Sequence, residues 1–115
     1  MKALLALLLV TSTAIAAPPA GSDPDSPTAQ WYRSLKSPHT GGSCCSEADC
    51  RPVVSRMAGD HYEAFIDRRT FGSDAPDDWV AVPNEKVLHT TNPTGESVAC
   101  WYTREILCFV SGSAT

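Results

Sequence analysis

A chain of 115 residues, 43% hydrophobic and 19% charged, has room for one small domain. Thirteen Asp and Glu against nine Lys and Arg give a formal net charge of −4, which excludes the basic footprint that nucleic-acid backbones and anionic lipid surfaces require. Nine prolines and seven glycines beside three each of Trp, Tyr and Phe describe a turn-rich globular protein.

Lys2 precedes an unbroken apolar run over residues 3–10 that continues, diluted by Thr and Ser, to Ile15. The run is too short to span a bilayer, and Ala14 and Ala16 supply the small residues of an A-x-A cleavage site. This order predicts a signal peptide over residues 1–16, cleavage after Ala16, a periplasmic or secreted address and no membrane span after cleavage. No Cys follows the run and no twin Arg precedes it, which argues against a lipid anchor and against folded export. Removing 16 of 115 residues leaves 99, and the loss of Lys2 takes the net charge from −4 to −5. A domain of that size buries only about 60–65% of its unfolded surface, so its core is thin. All five cysteines (Cys44, Cys45, Cys50, Cys100, Cys108) lie in the exported part, where disulfides are their first explanation.

Residues 17–27 are a Pro, Ser, Asp and Gly tract, expected to be a flexible leader. Ser26 before Pro27 is an N-cap followed by proline at the first helical position, with Trp31 and Leu35 four apart on one face, predicting a short helix over 27–36. Ser46 and Asp49 have capping-box spacing, which places one helical turn between Cys45 and Cys50. Residues 52–57 and 61–67 are β-branched and aromatic runs around Ala58-Gly59-Asp60, a hairpin with Gly59 left-handed. A loop over 68–78 leads to a strand at 79–82, a helical turn near 83–88 and a turn at 91–95. Residues 97–102 and 106–110 form a second hairpin turning around Arg104. The fold class is therefore mainly β: a small antiparallel sheet of two hairpins plus a strand, with a short N-terminal helix, disulfide-stabilised. One domain over 28–110 precedes a flexible tail at 111–115.

Cys100 and Cys108 are equidistant from Arg104, so the hairpin sets them opposite each other on one face, and they form the first expected disulfide. The second pairs Cys50 with Cys44 or Cys45, leaving the other neighbour as a free thiol open to mixed disulfides or a covalent dimer. The rival pattern joins the Cys44 to Cys50 cluster to Cys100 and Cys108 across loops of about 50 residues, which the chain-entropy argument favours. His39, Cys44, Cys45 and Cys50 also form H-x4-C-C-x4-C, soft and borderline ligands for Cu or Zn if the thiols stay reduced, although paired C-x2-C knuckles are missing. An enzyme would have to gather distant polar groups such as His61, Asp67 and Arg69. No motif for a nucleophile, a metallohydrolase or a phosphate loop is present, and no cofactor is expected.

Gln30-Trp31-Tyr32-Arg33-Ser34-Leu35, Ser43-Cys44-Cys45-Ser46-Glu47-Ala48-Asp49-Cys50-Arg51-Pro52-Val53, Asn92-Pro93-Thr94-Gly95 and Cys100-Trp101 resemble segments of uncharacterised small exported proteins of alphaproteobacteria, of rhizobial type. The resemblance covers most of residues 28–110. It implies a periplasmic or secreted bacterial setting and no particular activity, cofactor or catalytic residue. The combined expectation is an exported non-enzymatic domain that binds a protein or small ligand or associates with the envelope. A metal-handling protein and a small enzyme are the alternatives.

Overall fold

The computed structural model describes residues 25–38 and 40–112, with Ser46 and Glu47 as backbone only. The predicted signal peptide, the leader through residue 24, His39 and the last three residues lie outside the described residues. No helix among the described residues is long and apolar enough to cross a membrane.

Helix α1 spans Pro27–Ser34. Ser26 caps it, its side chain accepting from the Ala29 amide at 3.1 Å, and the proline occupies a first-turn position where no amide is needed. The Trp31 indole donates to the Thr91 carbonyl at 2.8 Å, tying the helix to a loop sixty residues away. Beyond α1 the chain makes a tight reversal in which Ser37 N–H donates to the Gly42 carbonyl and Gly41 takes a φ of +70°. It then enters the single helical turn α2, Cys44–Glu47.

Six strands follow among the described residues: β1 Asp49–Val53, β2 Ser55–Ala58, β3 His61–Ile66, β4 Asp78–Ala81, β5 Ser97–Tyr102 and β6 Glu105–Val110. The protein is mainly β, antiparallel and disulfide-linked, with its strands shared between two sheets of three, in the orders β1-β5-β6 and β2-β3-β4. The run expected as one strand over 52–57 is two strands that part at Val54: β1 pairs with β5 and β2 with β3. Pro52 lies in an edge strand, the place in a sheet where a residue without N–H is tolerated.

Both hairpins form. Gly59 turns the first with a φ of +70°. The second turns on Thr103 and Arg104, both left-handed (φ 47° and 65°), as a two-residue primed turn requires. That turn alone would set Cys100 opposite Leu107; an irregularity between Cys100 and Trp101 shifts the register so that Cys100 faces Cys108. The loop expected at 68–78 contains a further helical turn, α3 (Arg68–Phe71), whose N-cap Asp67 accepts from the Thr70 amide at 2.7 Å. A 3-10 turn at Asn84–Lys86 follows β4.

Strand β5 is buried along both faces, which explains its continuous apolar run. On one side Ala99 and Trp101, with Ile106 and Phe109, pack against Ala64, Ile66 and Phe71 from the other sheet and α3. On the other, Val98, Cys100, Cys108 and Val110 pack against Leu35, Cys44 and Ala48 from the helical side. The β1-β5-β6 sheet is thus the middle layer of three. Ser111 and Gly112, placed in a flexible tail on sequence grounds, are tied down: Asn92 donates to the Ser111 carbonyl at 3.2 Å and Gly112 N–H to Ser97 Oγ at 2.9 Å.

Candidate functional site

Cys50, Cys100 and Cys108 occupy directly opposed positions on β1, β5 and β6, forming one row across the helical face of the middle sheet. Cys100, on the central strand, has a cysteine neighbour on either side. It is bonded to Cys50, with Cα atoms 3.9 Å apart, and Cys108 is bonded to Cys44 of α2, with Cα atoms 6.2 Å apart. The expected Cys100–Cys108 bond and the expected bond from Cys50 to Cys44 or Cys45 are therefore not those formed. The hairpin does set Cys100 opposite Cys108, but β1 lies against the other side of β5, and this long-range pairing is invisible to a local reading. The bridges instead span sequence separations of 64 and 50 residues, the rival pattern.

Cys45 holds the unpaired thiol. Successive residues on a helix point about 100° apart, so when Cys44 turns onto β6 its neighbour turns elsewhere. The Cys45 thiol donates to the Tyr32 carbonyl of α1 at 3.1 Å. Its sulfur, with those of Cys50 and Cys100, forms a group in which all three lie within 4.8 Å of one another; Cys44, Cys100 and Cys108 form a second such group. Cys100 belongs to both. Burial pushes the Cys45 thiol up to about 11, against an opposing pull from Arg51. The Tyr32 hydroxyl is raised too, by burial first and then by Cys45 and Glu96.

Of the candidate ligand set His39, Cys44, Cys45 and Cys50, His39 lies outside the described residues, and the three cysteines are not all free thiols. Cys44 and Cys50 are in disulfides, and a metal-ligating cysteine must be a thiolate. The enzyme set is dispersed as well. His61 opens β3, where it meets the exposed Asp60 at 3.1 Å, and Asp67 lies beyond the other end of that strand, roughly 20 Å away by strand rise. The Asp67 carboxylate caps α3, and Arg69 is exposed on that turn.

A second feature, absent from the sequence reading, is a cleft of about 440 Å³ at the seam where β1 passes into β2. Val53, Val54 and Phe65 give it apolar walls, Val54 being 69% exposed, while Asp67 and Glu96 bring carboxylates, and among the described residues no Lys, Arg or His lines it. Ser55 and Ser97, both lining it, share a hydroxyl–hydroxyl hydrogen bond that joins the two sheets. The cleft exists because the chain changes sheets at Val54, a crossing that strand propensity does not reveal. Comparison of the chain with protein-family models, with curated proteins and with solved structures gives no match, so both features are read from their own chemistry.

Proposed function

We propose that the chain is an exported, non-enzymatic binding domain of the periplasm or cell envelope, in keeping with the small exported alphaproteobacterial proteins it resembles. The observation that carries this reading is the pair of buried disulfides at the centre of a thin core, since such bridges persist in oxidising compartments. The seam cleft is the binding element. Its apolar walls and two carboxylates, with no lining cation among the described residues, suit a ligand that joins an apolar stem to an amine or guanidinium head.

Two measurements test the two halves. Fractionation of cells expressing the full chain should place the protein outside the cytoplasm with an N-terminus at Ala17; a full-length chain in the cytoplasm as its normal state contradicts export. Amide NMR shifts should move at Val53, Val54 and Glu96 on titration with benzylamine and stay still with benzoate. Equal responses to both probes, or none at the seam, contradict the binding element.

A further inference from the structure

The five sulfurs are arranged as a line of exchange partners. Cys45 holds a thiol beside the Cys50–Cys100 disulfide, and the same Cys100 sulfur lies within 4.8 Å of both sulfurs of Cys44–Cys108. Four of the five are buried on one face of the middle sheet, and Cys100 stands in register with Cys50 on one side and Cys108 on the other.

We propose that this row is a thiol–disulfide relay that interconverts two disulfide isomers of the protein without any net oxidation. In the first step the Cys45 thiol gives its proton to solvent base and the thiolate attacks the Cys50 sulfur. A Cys45–Cys50 bond forms, the Cys50–Cys100 bond breaks, and Cys100 leaves as a thiolate. In the second step Cys100 attacks the Cys108 sulfur: a Cys100–Cys108 bond forms, the Cys44–Cys108 bond breaks, and Cys44 leaves as a thiolate that takes a proton from water. Two disulfides and one thiol are present throughout, so no oxidant or reductant is consumed.

The two end states differ mechanically. In the isomer with Cys44–Cys108 and Cys50–Cys100, one disulfide fastens α2 to β6 and the other fastens β1 to β5. In the isomer with Cys45–Cys50 and Cys100–Cys108, every bridge is local: α2 is bonded only to the adjoining strand β1, and neither α2 nor β1 is covalently fastened to the β5-β6 hairpin. Helix α1 guards the entry to the relay, because the Tyr32 carbonyl holds the Cys45 proton and Trp31 is latched to Thr91. The groups that face the Cys45 thiol are Tyr32 from α1 and Arg51 from β1, with Glu96 acting on Tyr32. Burial keeps the thiolate scarce near neutral pH, so the relay is slow while α1 is docked.

Trypsin separates the isomers cleanly. Cleavage after Lys36, Arg56, Lys86 and Arg104 puts Cys44, Cys45 and Cys50 on one peptide, Cys100 on a second and Cys108 on a third, Arg51 being protected by Pro52. The observed isomer gives a single three-peptide assembly; the other gives the Cys100 and Cys108 peptides joined to each other and the triple-cysteine peptide alone. Purified oxidised protein is held near pH 9 without added thiol, quenched in acid with N-ethylmaleimide and digested. The expected result is time-dependent growth of the two-peptide product with maleimide on Cys44, and at least a roughly tenfold loss of that product in Cys45→Ser, which lacks the thiol that starts the relay. Persistence of the three-peptide assembly with label on Cys45 alone overturns the proposal. So does equal growth of the two-peptide product in Cys45→Ser.

Discussion

Cys100 and Cys108 face each other across neighbouring strands, yet each is bonded to a different sulfur. Cys100 is held to Cys50 within the sheet, while Cys108 reaches out of the sheet to Cys44. The consequence is that the bridges join the N-terminal third of the domain to its C-terminal hairpin. Removing Cys44–Cys108 by paired alanine substitution should cost about 2–4 kcal/mol, a fall of roughly 10–20 °C in Tm for a domain of this size. Calorimetry of the double variant checks this; an unchanged transition would mean that α2 is held by packing alone.

The latch on α1 gives a second expectation. Trp31→Phe keeps a smaller aromatic ring on the helix and removes the indole donor to Thr91. Maleimide labelling of Cys45 should quicken several-fold, by about 3 to 10 times for the loss of one hydrogen bond of about 1 kcal/mol, while overall stability changes little. Labelling at the wild-type rate would show that α1 does not control access to the thiol.

The thiol itself has a pH signature. Because burial raises Cys45 to about 11, its thiolate fraction should still be climbing about tenfold per pH unit at pH 9 and 10, where an exposed thiol has levelled off. A labelling rate that reaches a plateau near pH 9 would contradict the half-buried position of the thiol beside the Tyr32 carbonyl.

Much of this architecture was legible in the sequence. The Ser26-Pro27 start of α1, the Gly59 turn and the alternation along β3 are local signals, and each marks an element that forms. The opposition of Cys100 and Cys108 was legible as well, as a matter of spacing around Arg104. What a local reading misses is non-local. Nothing within residues 49–53 says that they will pair with residues 97–101, and that pairing gives Cys100 its second cysteine neighbour. The change of sheet at Val54 is non-local in the same way, whereas the Asp67 cap on α3 is local, an Asp whose carboxylate accepts from the amide three residues on.

That cap has its own pH dependence. Hydrogen bonds from Thr70 hold the Asp67 carboxyl below its usual value, so the stabilisation is present above the unfolded pKa near ~3.9 and is lost as pH falls through the lower folded value. Asp67→Asn, which keeps a capping oxygen without a titrating group, should remove the acid sensitivity of the Thr70 amide, while the Arg68 amide keeps its bond to Asp77. Equal acid sensitivity of the Thr70 amide in both proteins would contradict the assignment.

At the C-terminal end, Gly112 lies so close to the neighbouring backbone that an added Cβ would meet the Gly95 carbonyl oxygen and the Ser97 nitrogen at 2.7 Å. Gly112→Ala should therefore cost about 1–3 kcal/mol by forcing the two segments apart, read as a lower urea midpoint. A midpoint equal to that of the wild type would show that residues 111 and 112 are not part of the packed unit.

The most direct test of the sulfur arrangement is a non-reducing peptide map of protein trapped in acid with maleimide immediately on isolation. It should show one three-peptide assembly joined by Cys44–Cys108 and Cys50–Cys100, with a single label on Cys45. Freshly trapped protein whose Cys100 and Cys108 peptides are joined only to each other would contradict it.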